Sequence, residues 1–137
     1  MKRFSITRVM VMEYLRREKE LSGYSFMKYC RKIGIPMSSG MLYPFLRELK
    51  AEGMIVERQE GRKKIYTLSE KGWAVVEKVG GRRHVDRTFQ EIFLRFMYHL
   101  ERVNWRKKET VLLLLEDVRE MEAYLKEITQ KKGDGNE

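Results

Sequence analysis

A single cysteine, two histidines, two prolines and the absence of any run of about 18 uncharged apolar residues set the first limits on this chain. Cys30 alone can form no intramolecular disulfide and is best read as a small core side chain. His84 and His99 stand apart, with no metal-ligand spacing around them, so no metal and no cofactor is expected. Without a long apolar run no membrane partner is expected, and the first residues lack the apolar core and cleavage site of a secretory signal, which together point to a cytoplasmic protein. There is no glycine-rich phosphate loop and no nucleophile motif, and carboxylates occur in helical charge patterns rather than as an isolated pair; enzymatic activity is not expected. Internal repeats and low-complexity tracts are lacking too. At 137 residues the chain suits one domain, or one small domain with an oligomerisation element.

What is abundant is positive charge. The formal net charge is +9, and it is unevenly placed: residues 1–80 carry 17 Lys and Arg against 9 Asp and Glu, whereas residues 81–137 carry 12 against 11. Solubility alone would not concentrate the excess in one half, so a polyanionic partner is indicated for residues 1–80. Residues 81–137 are then expected to serve another purpose.

The chain is organised around residues 38–53. Leu42, Leu46 and Leu49 recur at the spacing of a buried helical stripe beside Phe45, Ser38 or Ser39 can cap the start, and Gly53 supplies the stop. The other face carries Ser39, Gly40, Tyr43 and Arg47, which suits contact with phosphates and base edges. Pro44 removes a backbone donor and crowds the preceding turn, so either a local bend or a late helix start is expected. Two helices come before. Residues 5–18, capped by Ser5 or Thr7, bury Ile6, Val9, Met10, Val11 and Leu15. After a turn at 21–24, Phe26, Met27, Cys30 and Ile33 face inward, Lys28, Arg31 and Lys32 face out, and Gly34 ends the helix. Ile35-Pro36-Met37 is an extended connector.

Past Gly53 the period changes to that of strands. Residues 54–59 and 64–68 are rich in β-formers, and residues 60–63 make a short turn with Gly61, giving a hairpin with a basic tip. Ser69 caps a helix over 70–79 that presents Trp73, Val76 and Val79, closed by Gly80-Gly81. A helix over 86–102 puts Phe89, Ile92, Phe93, Phe96, Met97 and Leu100 on one stripe, with Thr88 and Glu91 spaced as a capping box. The last, over 105–131, carries a seam of Val111, Leu114, Val118, Met121, Leu125 and Ile128, widened by Leu112, Leu113 and Leu115. So wide an apolar face must be covered, at about 25 cal/mol for each Å². The phenylalanine-rich helix and a second copy of the chain are the two available covers.

Three helices followed by a hairpin with a basic tip is the order of a winged helix-turn-helix, in which the third helix enters the major groove and the hairpin, or wing, reaches the flanking backbone or minor groove. The fold class is thus mostly α with a small β-hairpin: a winged helix-turn-helix over 1–80, then C-terminal dimerisation helices over 81–137. Four stretches, Leu21-Ser22-Gly23-Tyr24, Ser39-Gly40-Met41-Leu42-Tyr43-Pro44-Phe45-Leu46, Leu49-Lys50-Ala51-Glu52-Gly53-Met54-Ile55 and Tyr66-Thr67-Leu68-Ser69-Glu70-Lys71-Gly72, resemble the successive signatures of PadR-type transcriptional regulators over roughly residues 5–80. Ser22 departs from the histidine frequent in that family. The resemblance implies a homodimeric repressor whose C-terminal helices form the dimer interface and, in some members, bind a small planar aromatic effector.

The expected partners are therefore double-stranded DNA and a second copy of the chain. For DNA the candidate residues are Ser38, Ser39, Tyr43 and Arg47 on the third helix, Arg62, Lys63 and Lys64 on the wing, and Lys28, Lys2 and Arg3 as secondary contacts; Tyr24 is expected to pack rather than to touch DNA. For dimerisation they are Phe93, Phe96, Val111, Leu114, Val118, Met121, Leu125 and Ile128. The alternatives are a winged helix that serves as a protein-interaction module and an architectural protein that binds DNA without sequence preference.

Overall fold

The computed structural model describes residues 5–80 and 86–134, without the side chains of 79, 80 and 132–134. Two compact units emerge, Met1–His84 and Val85–Glu137. In the first, α1 (Ile6–Glu18), β1 (Leu21–Ser22), α2 (Gly23–Lys32), α3 (Ser39–Ala51), β2 (Ile55–Glu60), β3 (Lys63–Leu68) and α4 (Glu70–Gly80) follow one another. In the second are α5 (Arg87–Arg102) and α6 (Lys108–Asp134).

The core of the first unit forms where the three helical stripes meet the sheet. Met10, Val11 and Leu15 of α1, Phe26 and Cys30 of α2, and Leu42, Leu46 and Leu49 of α3 are all buried, as are Leu21, Ile55 and Tyr66 of the strands. Local chemistry sets the helix ends. Ser5 accepts from Thr7 N–H at the start of α1, and at α2 Ser22 and Ser25 bond each other's backbone N–H reciprocally. Gly34 and Gly53 have φ of +92° and +78°, and each closes its helix with a paired set of bonds. Ile35 N–H reaches Cys30 C=O and Gly34 N–H reaches Arg31 C=O, while Met54 N–H reaches Leu49 C=O and Gly53 N–H reaches Lys50 C=O.

Several expectations change. Residues 21–22, read as a turn, pair with β3 as a third strand, so the sheet runs β1-β3-β2. The physical reason is that the residue capping α2 is extended (Ser22, φ −108°, ψ 154°) and the outer edge of β3 was open to pair with it. Ser38 holds the cap position of α3 without a side-chain hydrogen bond, and α3 starts at Ser39, so a late start after Pro44 does not occur. The donor that Pro44 lacks would have served the Gly40 carbonyl, and Gly40 is exposed, where water can serve it. The hairpin turn is shorter than the four residues expected: Glu60 pairs with Lys63, leaving Gly61 and Arg62 at the tip, with Gly61 at φ +61°. Glycine with positive φ at the first of two tip residues matches the twist of the strands. Tyr24 does not pack; it is 71% exposed. Ser69 caps α4 as expected, donating to Gly53 C=O at 2.5 Å while accepting from Gly72 N–H at 3.0 Å. Val79's side chain and Gly81 lie outside the described residues.

The second unit is an antiparallel helical hairpin. Asp86, not a Thr88–Glu91 box, caps α5 through Phe89 N–H, because its short carboxylate sits three residues before that donor. Tyr124 of α6 also donates to Asp86 at 2.8 Å. α6 begins at Lys108, three residues later than expected, because the loop before it closes on itself. Thr110 Oγ1 accepts from Asn104 N–H, and Asn104 Oδ1 accepts from Arg106 N–H, leaving Trp105 outside the helix and 69% exposed. The inward face of α5 is also wider than the aromatic stripe. Ile92, Leu94 and Tyr98 are buried, while Phe93 and Leu100 are exposed. On α6 Leu114 is buried within the chain itself, Val111, Met121 and Ile128 are half-buried, and Val118 and Leu125 are 45% and 49% exposed, as are Leu112, Leu113 and Leu115 to a lesser degree.

Candidate nucleic-acid interface

Which cations of the first unit are already engaged decides what its surface can bind. Arg8 forks onto Glu52, Lys50 Nζ lies 3.2 Å from Glu57, and Arg58 contacts Glu20 and Glu60 at 2.8 and 2.7 Å. Glu20 and Glu60 raise the Arg58 guanidinium's affinity for its proton still further. These side chains are neutralised and link α1 to α3, α3 to β2, and β2 to the start of β1. In contrast, Lys28, Arg47, Arg62, Lys63 and Lys64 are exposed and form no ion pair among the described residues.

The third helix places its polar residues as its period requires. Ser38 and Ser39 are exposed at its start, and Tyr43 and Arg47 follow one turn apart on the side away from Leu42, Leu46 and Leu49. Lys28 is exposed on α2 and does not join the cleft described next. Lys2 and Arg3 lie outside the described residues.

Tyr43 and the three wing cations, which no sequence spacing connects, come together in one open cleft of about 360 Å³. The start of α2 forms its third wall, through Ser22, Gly23 and Tyr24, and no carboxylate lines it. Gly23 is buried because Tyr43 lies over it: a methyl group there would overlap the Tyr43 hydroxyl and stand 3.0 Å from Cζ. Neither Tyr24 nor Tyr43 has a hydrogen-bond partner for its hydroxyl among the described residues. Behind the cleft the buried Tyr66 is held in its neutral form, its pKa pushed up to about 12 by burial and by the nearby Glu57 carboxylate and Tyr43. Sequence reasoning missed Tyr24, Gly23 and Ser22. The only signal was the quoted Leu21-Ser22-Gly23-Tyr24 run, whose position next to the wing depends on β1 pairing with β3.

Such a surface combines a helix bearing hydroxyls and a free arginine with a basic hairpin, and the family profile described as "Transcriptional regulator PadR-like family" matches residues 11–78, which span both. The chain belongs to the PadR-like family of transcriptional regulators. No curated protein sequence matches it significantly. Among solved structures, the PadR-like chain shares its fold with Bacillus subtilis PadR in complex with operator DNA, at 20% identity and a TM-score of 0.51, over 94% of this chain and 97% of the other. SSV1 F-93 aligns at 27% identity and a TM-score of 0.46, over 66% and 97%. The fold is thus a winged helix-turn-helix with C-terminal helices, with α3 as its third helix and β2–β3 as its hairpin.

In the second unit the candidate dimer residues divide. Phe93, Val118 and Leu125 are exposed, and Val118, Met121 and Leu125 line an apolar groove with Phe89 of about 410 Å³. What sequence reasoning missed there is Asp117, 2% exposed, which accepts from Arg95 Nε at 2.6 Å and lies 2.6 Å from His99 Nδ1. Arg95 also bonds Glu120. Burial works against the charge of Arg95, but its bonds to Glu120 and Asp117 outweigh that and raise its pKa.

Proposed function

We propose that the protein is a homodimeric repressor that binds double-stranded DNA sequence-specifically, with α3 in the major groove and the wing on the flanking backbone or minor groove. The observation that carries this reading is the sorting of cations. Arg8, Lys50 and Arg58 are paired with carboxylates, whereas Arg47 on the polar face of α3 and Arg62, Lys63 and Lys64 at the wing tip form no ion pair among the described residues. No carboxylate lines the cleft in which the three wing cations meet Tyr43. Residues 1–80 would then be the DNA-binding part and residues 81–137 the dimerisation part, where exposed Phe93, Val118 and Leu125 need a cover that a second copy can supply. The operator complex named for Bacillus subtilis PadR supports the same reading through the shared fold. A dimer seated on an operator excludes other proteins from the DNA it covers, hence repression.

The test is the affinity of the purified protein for a duplex from upstream of its own gene, against a scrambled duplex, at low and high salt. A preference of tens-fold for the upstream duplex, with affinity falling steeply as salt rises, is expected. Equal salt-sensitive binding to both duplexes would favour an architectural role. No binding at low salt would favour a protein-interaction module.

A further inference from the structure

The cleft between α2, α3 and the wing has the chemistry of a site for one anion, and its walls come from three elements at once. We infer that it seats a single phosphodiester of the bound duplex: Tyr24 and Tyr43 donate their hydroxyl protons to the phosphate oxygens, Arg62, Lys63 and Lys64 supply charge, and Gly23 is a positioning residue that sets the Tyr43 phenol. This rests on the DNA-binding reading above.

Three independent observations converge on it. First, the cleft contains cations without carboxylates, in a unit that otherwise pairs Arg8, Lys50 and Arg58. Second, its two phenol hydroxyls have no hydrogen-bond partner among the described residues, and a phenol is a good donor to an ionised oxygen. Tyr24 is 71% exposed, although its ring would gain by packing, and its place beside the wing gives that exposure a purpose. Third, Gly23 lets Tyr43 approach the first turn of α2, where the start of the helix adds partial positive charge to the same space. Three cations exceed the single charge of one phosphodiester, so the wing tip also reaches neighbouring phosphates along the strand. The phenols select the seated one, because their reach is short and directional.

The closing experiment uses the full chain, the upstream duplex, and copies of that duplex in which single phosphates are replaced one at a time by neutral methylphosphonate. Tyr24→Phe removes one oxygen from an exposed ring and leaves the fold intact. It is expected to weaken duplex binding about tenfold, the size of a hydrogen bond to a charged group. For the wild-type chain, one linkage per half-site should be the most sensitive to methylphosphonate, and in Tyr24→Phe the penalty at that linkage should shrink. Gly23→Ala should also weaken binding, and should do so less when Tyr43→Phe is already present, because the overlapping atom is then gone. Salt-sensitive duplex binding that Tyr24→Phe leaves unchanged, with the same sensitive linkage in both proteins, would overturn the seat while leaving the DNA-binding reading standing. Absence of duplex binding, with Tyr24-dependent protection of the protein by inorganic phosphate against unfolding, would overturn both and reassign the cleft to a small free anion.

Discussion

At the scale of single residues, two glycines show how differently the same residue type can be required. Gly53 needs its positive φ, and a methyl group there would meet nothing closer than Lys71 Cδ at 4.0 Å. Gly72 has open backbone geometry but no room: a methyl group would overlap the Met54 carbonyl oxygen and stand 3.2 Å from its carbon. Gly53→Ala should therefore cost about 1 kcal/mol, from left-handed strain alone. Gly72→Ala should cost about 3 kcal/mol, since backbone must move. Urea midpoints with unchanged slopes would check both. Among the proposed DNA contacts, Lys63→Ala should weaken binding to all duplexes alike and lower the salt slope by about 1, whereas Arg47→Ala should also erode the preference for the upstream duplex. Measured over a panel of duplexes, uniform losses for Arg47→Ala would make it a phosphate contact. Sequence reading named Arg47 and Lys63 as DNA candidates and passed over Arg58. The structure gives Arg58 two carboxylates, Glu60 two residues along the same strand and Glu20 brought in from 38 residues away, and only the second depends on the fold.

At the scale of elements, helix ends and strand identities were largely legible because caps, stop glycines and period are local. The faces were less so. The aromatic stripe of α5 suggested Phe93 and Leu100 inside, but burial went to Ile92, Leu94 and Tyr98, and Arg95 and His99 of α5 clamp Asp117 of α6. Asp117 read as one more charge in a charged helix. Asp117→Ala leaves the largely buried Arg95 with Glu120 as its remaining partner and removes the group beside His99. A loss of about 3 kcal/mol is expected, below the upper range for buried pairs because Arg95 keeps Glu120. Thermal unfolding of the full chain would measure it, and a shift no larger than that of an exposed charge such as Glu122→Ala would show that the clamp contributes little.

At the scale of the whole molecule, the second unit tests assembly. Val118→Glu with Leu125→Glu places charge on exposed positions of the apolar seam, so it should leave the helices formed while converting a dimer to a monomer in sedimentation. Truncation before Trp105 should yield monomers or insoluble protein, and a soluble dimer from it would remove α6 from the interface. The first unit predicts a pH dependence. Burial pushes the Cys30 thiol from 9.0 up to about 12, and burial with Glu57 and Tyr43 raises Tyr66 from 10.0 to about 12. Above about pH 9 the unfolded chain loses protons that the folded chain keeps, so stability should be intact below that pH and fall progressively as the pH rises towards 12. A series of urea midpoints from pH 8 to 11 would show it, and thiol reagents should label Cys30 only as the chain unfolds.

The sequence by itself determined the helix-helix-helix-hairpin plan and the basic character of the first half, and four motif runs carried the resemblance to the family. The plan and the charge depend on periodicity, capping and composition, and the resemblance on short runs of particular residues, all of them properties of neighbouring positions. The tertiary structure decided which cations remain free, that Leu21-Ser22 completes the sheet, and that Tyr24, Tyr43 and the wing share one cleft. It also revealed Asp117 as a buried clamp. Those features arise from groups brought together across tens of residues, where burial and ion pairing depend on packing that no local pattern encodes.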